Sequence, residues 1–129
     1  MLIAEVKGTF DGKDLTLTLD VTESPTSCSV DVKLVLDSDA ATLSLQVAYL
    51  GDIPTLSMSA LSLSGVGACL GGCGLTTVVA PVVQCAKTNK TVSKFAQCVK
   101  AKGLSIAATT IECILACLGG AAVGGHITP

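Results

Sequence analysis

Six of the seven cysteines fall in one stretch, GVGACLGGCGLTTVVAPVVQCAKTNKTVSKFAQCVKAKGLSIAATTIECILACLGG (residues 65–120), and their order is the same read from either end. One Cys-x3-Cys pair, Cys69 and Cys73, opens the stretch and a second, Cys113 and Cys117, closes it, while Cys85 and Cys98 flank a polar, lysine-rich middle. Two helices that turn back over residues 88–94 would bring these cysteines together as nested pairs. The expected partners are Cys69 with Cys117, Cys73 with Cys113, and Cys85 with Cys98.

Helix arithmetic supports this arrangement with one difficulty. Cys73 to Cys85 is twelve steps and Cys98 to Cys113 fifteen, so the two arms differ by roughly 4 to 5 Å at about 1.5 Å per residue. Twelve steps also turn a straight helix about 120° from its starting face. Pro81 lies between Cys73 and Cys85, and a break or kink there could restore the facing. Three such bridges would each contribute about 3 kcal/mol by constraining the unfolded chain.

Seven cysteines among 129 residues point to disulfides in an oxidising compartment, and to metal or redox chemistry in a reducing one. The spacing favours disulfides. A tetrathiolate zinc site from Cys69, Cys73, Cys113 and Cys117 is the sharper alternative, but zinc knuckles favour shorter spacings with tight turns. Cys-x3-Cys also differs from the Cys-x2-Cys of thioredoxin-like redox sites. No metal and no cofactor are expected. The segment MLIAEVKGTFDGK meets a charge at Glu5 and contains no signal peptide, so a secreted or extracellular chain would be read here in its mature form.

The first 52 residues have a different character. Residues 2–50 alternate apolar and polar positions in four runs separated by turn chemistry, which predicts an antiparallel meander with one apolar and one wet face. LIAEVKGTF would place Leu2, Ala4, Val6 and Phe10 inward, and Asp11-Gly12 is a hairpin signal. DLTLTLDVT places Leu15, Leu17, Leu19 and Val21 inward, and Pro25 ends that run. CSVDVKLVLD places Cys28, Val30, Val32, Leu34 and Leu36 inward, and ATLSLQVAYL does the same with Leu43, Leu45, Val47 and Tyr49. Residues 53–64 read as a fifth strand or extended linker rather than a helix, given their serines and two-residue period.

The expected fold class is therefore α+β, an N-terminal β-meander of four or five strands packed on a C-terminal, disulfide-stapled helical hairpin. The expected organisation is one compact domain: an acidic sheet layer over 1–52, a linker or fifth strand over 53–64, the hairpin over 65–120 and a flexible tail over 121–129. Cys28, the odd cysteine, falls on the covered face of the sheet and is read as a free buried thiol, a tie between the sheet and the hairpin, or an intermolecular bridge.

The twin Cys-x3-Cys arrangement resembles that of plant helical hairpin peptides and of the small twin Cys-x3-Cys chaperones of the mitochondrial intermembrane space, which join antiparallel helices in this way. The nested six-cysteine order is also similar to that of saposin-like lipid-binding proteins, which begin with Cys-x2-Cys. Here 39 residues separate Cys73 from Cys113, and Cys85 and Cys98 are additional to the twin motif. The likeness is confined to the motif.

Composition narrows the function. The only aromatics are Phe10, Tyr49 and Phe95, and there is no Arg. Stacking platforms for bases or sugars and guanidinium clamps for phosphate are thus lacking, so no nucleic-acid partner is expected. Residues 1–52 hold nine acidic residues and three lysines, whereas residues 53–129 hold five lysines and Glu112. Those five, Lys87, Lys90, Lys94, Lys100 and Lys102, are candidates for contact with an anionic surface. Asn89-Lys90-Thr91 is a glycosylation sequon at the expected hairpin tip. His126 is the only histidine and has no acidic neighbour in the chain, and no nucleophile elbow, P-loop or dinucleotide fingerprint is present. No catalytic residue is expected.

A membrane-spanning hairpin deserves weighing, because residues 66–86 and 103–123 each approach the roughly 20 residues that a span requires. Pro81, Gln84, the glycines and a central Glu112 weigh against it. The leading expectation is a secreted, non-enzymatic protein that binds lipid or an apolar ligand, or acts at membranes, through the cationic apolar hairpin. The alternatives are an extracellular structural or self-assembling protein, with a homo-oligomer as its partner, and a membrane-active toxin or antimicrobial protein.

Overall fold

The computed structural model describes residues 1–51, 53–60, 66–119 and 126–128. Five strands form a continuous meander: β1 Leu2–Phe10, β2 Lys13–Glu23, β3 Ser27–Leu36, β4 Asp39–Leu50 and β5 Ile53–Ala60. A short sixth strand, β6 His126–Thr128, adds to the free side of β1, giving the antiparallel order β5-β4-β3-β2-β1-β6. Residues 53–60 thus belong to the sheet, and residues 61–65 lie outside the described residues. The tail expected to be flexible contributes β6, while residues 120–125 and 129 are likewise outside them.

Turn chemistry sets the register. Asp11 and Gly12 have φ of 54° and 75°, and two positive φ values in a two-residue loop give the twist that matches a right-handed hairpin. Phe10 consequently faces Lys13, and the alternation of both strands falls into phase. Rows of apolar residues then cross the sheet: Leu19 opposite Val32 and Val32 opposite Leu43, next to Val21 opposite Val30 and Val30 opposite Leu45. All six are buried.

β1 corrects the expected alternation at its start. Leu2 faces Asp20 while Ala4 faces Leu19, a register shift that leaves Ile3 as the extra residue of a bulge. Leu2 is therefore on the wet face, 52% exposed, rather than inward. Ile3 packs against the core instead, beneath Gly103, where a β-carbon would come within 2.9 Å of Ile3 Cδ1. The glycine lets the helix approach the sheet, and the bulge supplies the side chain that fills the contact.

The covering layer comprises α1 Val66–Gly74, a π turn Leu75–Val79, α2 Ala80–Thr88 and α3 Val92–Gly119. α3 lies over β1 and β2 and α1 lies over β4. On α3 the buried positions include Phe95, Val99, Gly103, Ile106, Thr110 and Ile114, the three- and four-residue spacing of a helix that buries one stripe. A single aliphatic core lies between the layers, with Leu15, Leu17 and Leu19 from the sheet and Ile111 and Ile114 from α3 fully enclosed. Replacing Leu19 by Ala should cost about 2 to 5 kcal/mol of stability. Denaturant unfolding of the oxidised protein measures this, and a loss well below that range would show that Leu19 is not at a tightly packed position.

Candidate functional site

The hairpin closes through three bonds, Cys69–Cys117, Cys73–Cys113 and Cys85–Cys98, with Cα–Cα distances of 5.8, 5.9 and 5.7 Å. These are the nested partners that the sequence order suggests. The four sulfurs considered for a zinc site are thus consumed in two of the bonds.

The rotation difficulty is met by the π turn. A π turn accommodates one residue more than an α turn, so it removes about 100° of helical rotation. Twelve steps from Cys73 to Cys85 then turn like eleven, ending about 20° from the starting face. Pro81 stands directly after the turn, at the second residue of α2, and cannot donate to a carbonyl one turn back. Hydroxyls take up part of the disrupted ladder. Thr76 and Thr77 donate to Cys73 O at 3.1 and 2.9 Å, and the buried Thr110 hydroxyl lies 2.7 Å from Thr77 Oγ1 and 2.6 Å from Ile106 O. Sequence reasoning marked Pro81 but missed the hydroxyl pair. Deleting Leu75, which is exposed, should convert the π turn to an α turn and leave all three bonds intact on non-reducing mass analysis. Scrambled or missing bonds in that variant would contradict this account of the facing.

The hairpin tip is built on two capping residues. Asn89 Nδ2 donates to Cys85 O at 2.9 Å at the end of α2, and Thr91 Oγ1 accepts from Lys94 N at 3.2 Å at the start of α3. Both polar residues of the sequon therefore hold helix ends, and a sugar on Asn89 Nδ2 would compete with its capping bond. Tyr49, from β4, donates to Asn89 O at 2.9 Å and stands edge-on to Phe95 with ring centroids 6.3 Å apart. This tie between tip and sheet was not legible from the sequence, where Tyr49 is one more inward residue of a strand.

The five candidate lysines separate into three environments. Lys87, Lys90 and Lys94 are exposed around the tip. Lys100 is not part of that surface, because its Nζ lies 3.2 Å from Glu23 Oε1 on β2. Lys102 lies on the outer face of the hairpin and lines a cleft of about 320 Å³ with Thr76, Gln84, Ser105 and Thr109. The anionic-surface candidate therefore reduces to the tip triad, with Lys102 in a separate, hydroxyl-rich depression.

Cys28 is a free thiol with no accessible surface, so in the native state it cannot reach a second chain to form a bridge. Burial pushes the thiol up from its usual 9.0 to about 11, helped by the Glu23 carboxylate and opposed by Lys100. The folded state therefore holds a proton that the unfolded state releases above pH 9.0, and stability falls as pH rises to about 11. The fall amounts to about 2 to 3 kcal/mol. Denaturation curves of the protein and of a Cys28→Ala variant should converge by this amount over that range, and a constant difference would contradict it.

No known protein family matches this chain. No curated protein and no solved structure matches it either. Three disulfides are compatible with an extracellular, oxidising environment.

Proposed function

We propose that the chain is a secreted, non-enzymatic amphiphile that binds lipid surfaces through its disulfide-locked hairpin, with the acidic sheet as its soluble carrier. One observation carries this reading. Among the described residues every disulfide lies within the hairpin and none joins it to the sheet. The two layers are held by apolar packing, by Tyr49 at the tip and by the Lys100–Glu23 pair. The hairpin can therefore leave the sheet as a closed unit without breaking a covalent bond.

The physical chemistry of that step favours a lipid surface over water. Apolar packing opposes opening in water, whereas acyl chains are as apolar as the sheet and can replace it against Phe95, Val99, Ile106 and Ile114. The helical runs Val66–Thr88 and Val92–Gly119 are each long and apolar enough to cross a membrane. Glu112, exposed on α3 two turns before its C-terminal end, is costly if carried into the bilayer, which favours a hairpin lying in the interface with one face immersed. Lys87, Lys90 and Lys94 would then meet anionic headgroups, at about 1 kcal/mol each.

Flotation with vesicles tests this reading. The oxidised protein should bind anionic vesicles more tightly than neutral ones, and joint replacement of Lys87, Lys90 and Lys94 by Ala should weaken anionic binding by up to about 100-fold. A tether tests the opening itself. A β-carbon at Gly103 would lie 3.2 Å from Ile3 Cγ1, close enough for a disulfide in an Ile3→Cys, Gly103→Cys variant. Once oxidised, that variant should bind far less than the Ile3→Cys single variant. No binding of the parent protein to either vesicle removes the lipid reading, and undiminished binding of the tethered form removes the opening.

A further inference from the structure

The two edges of the sheet are not equivalent. β1 is flanked by β6, through Lys7 with Thr128, Gly8 with Ile127 and Thr9 with His126. Among the described residues β5 is paired with β4 alone and ends the sheet. Natural edge strands are usually guarded by lysine, proline, a bulge or a covering loop, because a free row of backbone donors and acceptors invites another strand. β5 reads IPTLSMSA, with no charge and a single proline at its second position.

Backbone alternation shows which residues present that row. Leu50 and Ile53 close the two-residue turn as a pair, which makes them hydrogen-bonded partners. Ile53, Thr55, Ser57 and Ser59 therefore direct their backbone groups at β4, while Pro54, Leu56, Met58 and Ala60 direct theirs at the open side. Pro54 fits this assignment, since its nitrogen has no hydrogen to donate and sits where β4 does not need one. Leu56 and Met58 pair across β4 with Val47 and Leu45, both fully buried. Their own side chains, on the same hairpin side of the sheet, are 40% and 51% exposed because the helices cover β1 to β4 far more than β5.

We infer that β5 pairs antiparallel with β5 of a second copy of this chain about a two-fold axis at Ser57. The strand is self-complementary in that register. Leu56 of each copy faces Met58 of the other and exchanges both backbone hydrogen bonds with it, so two apolar pairs form on the hairpin side. On the opposite side Ser57 faces its counterpart, and Thr55 faces Ser59. This register puts Pro54 at the rim, opposite Ala60, and keeps two fully bonded pairs, whereas one centred at Leu56 would set Met58 against Pro54 and keep only the Leu56 pair fully bonded. No like charges meet, because β5 has none, and the nearest acid in its cross-strand row, Asp31, lies two strands inward and accepts from Ser44 at 2.6 Å. The result is one continuous sheet through the dimer, with the apolar lip of each copy covered by the other. Pairing through β5 requires no lipid surface.

Sedimentation velocity of the full, oxidised chain over a concentration series tests the dimer. Ser57→Lys places two like charges opposite each other at the axis and should weaken dimerisation about ten-fold or more. Ser57→Cys should cross-link the dimer, two thiols giving two electrons and two protons to added oxidised glutathione. Ser59→Cys, whose counterpart in this register is Thr55, should cross-link much more slowly. The remaining free thiol, Cys28, is buried and does not compete. A chain that stays monomeric to about 1 mM overturns the proposal. So does a dimer whose affinity Ser57→Lys leaves unchanged, or equal cross-linking of the two cysteine variants, each of which would place any association elsewhere.

Discussion

The covalent closure of the helical hairpin is the constraint that the rest of the molecule accommodates. An interior with Phe95 and Tyr49 as its buried aromatics cannot rely on large ring contacts, and its helices instead meet through small residues and sulfur. Cross-linking Cys69 to Cys117 and Cys85 to Cys98 fixes both ends of the hairpin, and the middle bond, Cys73–Cys113, leaves the chain between Cys73 and Cys85 little freedom to choose its phase. The π turn before Pro81 follows from that demand. Twelve residues must span three turns and return to the same face, and a helix can do so by absorbing one extra residue where the proline already weakens the ladder.

Once the hairpin is a closed layer, the sheet has to match it. β2 and β3 present aliphatic rows, Leu15 to Val21 and Cys28 to Leu34, because the polar positions within those stretches fall on the opposite side, and that face has no other partner of sufficient length. Gly103 permits α3 to approach the start of β1, and the bulge at Ile3 adapts the strand to the helix. Charge is divided in the same way. Most acids of the sheet lie on its wet side and in its turns, Lys87, Lys90 and Lys94 gather around the hairpin tip, and Glu23, at the end of β2, bridges the two layers through Lys100. The layers are thus complementary but linked by no disulfide, which is the physical basis for treating the hairpin as separable.

Much of this was legible in the sequence for local reasons. The two-residue alternation of Leu15, Leu17, Leu19 and Val21 needs no tertiary information to define a face. An antiparallel hairpin brings cysteines together in nested order whatever it packs against. The features that were missed depend on residues distant in the chain. Leu2 turns outward because of a bulge whose filled contact is Gly103, and Lys100 leaves the cationic patch because β2 passes beneath it. Tyr49 acts at the tip because Asn89 O lies above it. The tail joins the sheet at β6 through backbone pairing with β1, for which HIT gives little signal. The cluster of five lysines was over-read for a related reason, since proximity in sequence does not place side chains on one face.

The account rests most directly on the connectivity of the sulfurs. Proteolytic mapping of the non-reduced protein, with alkylation before and after unfolding, measures it. Cross-linked fragments should join Cys69 to Cys117, Cys73 to Cys113 and Cys85 to Cys98, with Cys28 alone becoming alkylated and only after the chain unfolds. Seven alkylated thiols without reduction, or any bridge that ties Cys28 to the hairpin, would contradict a covalently closed hairpin independent of the sheet.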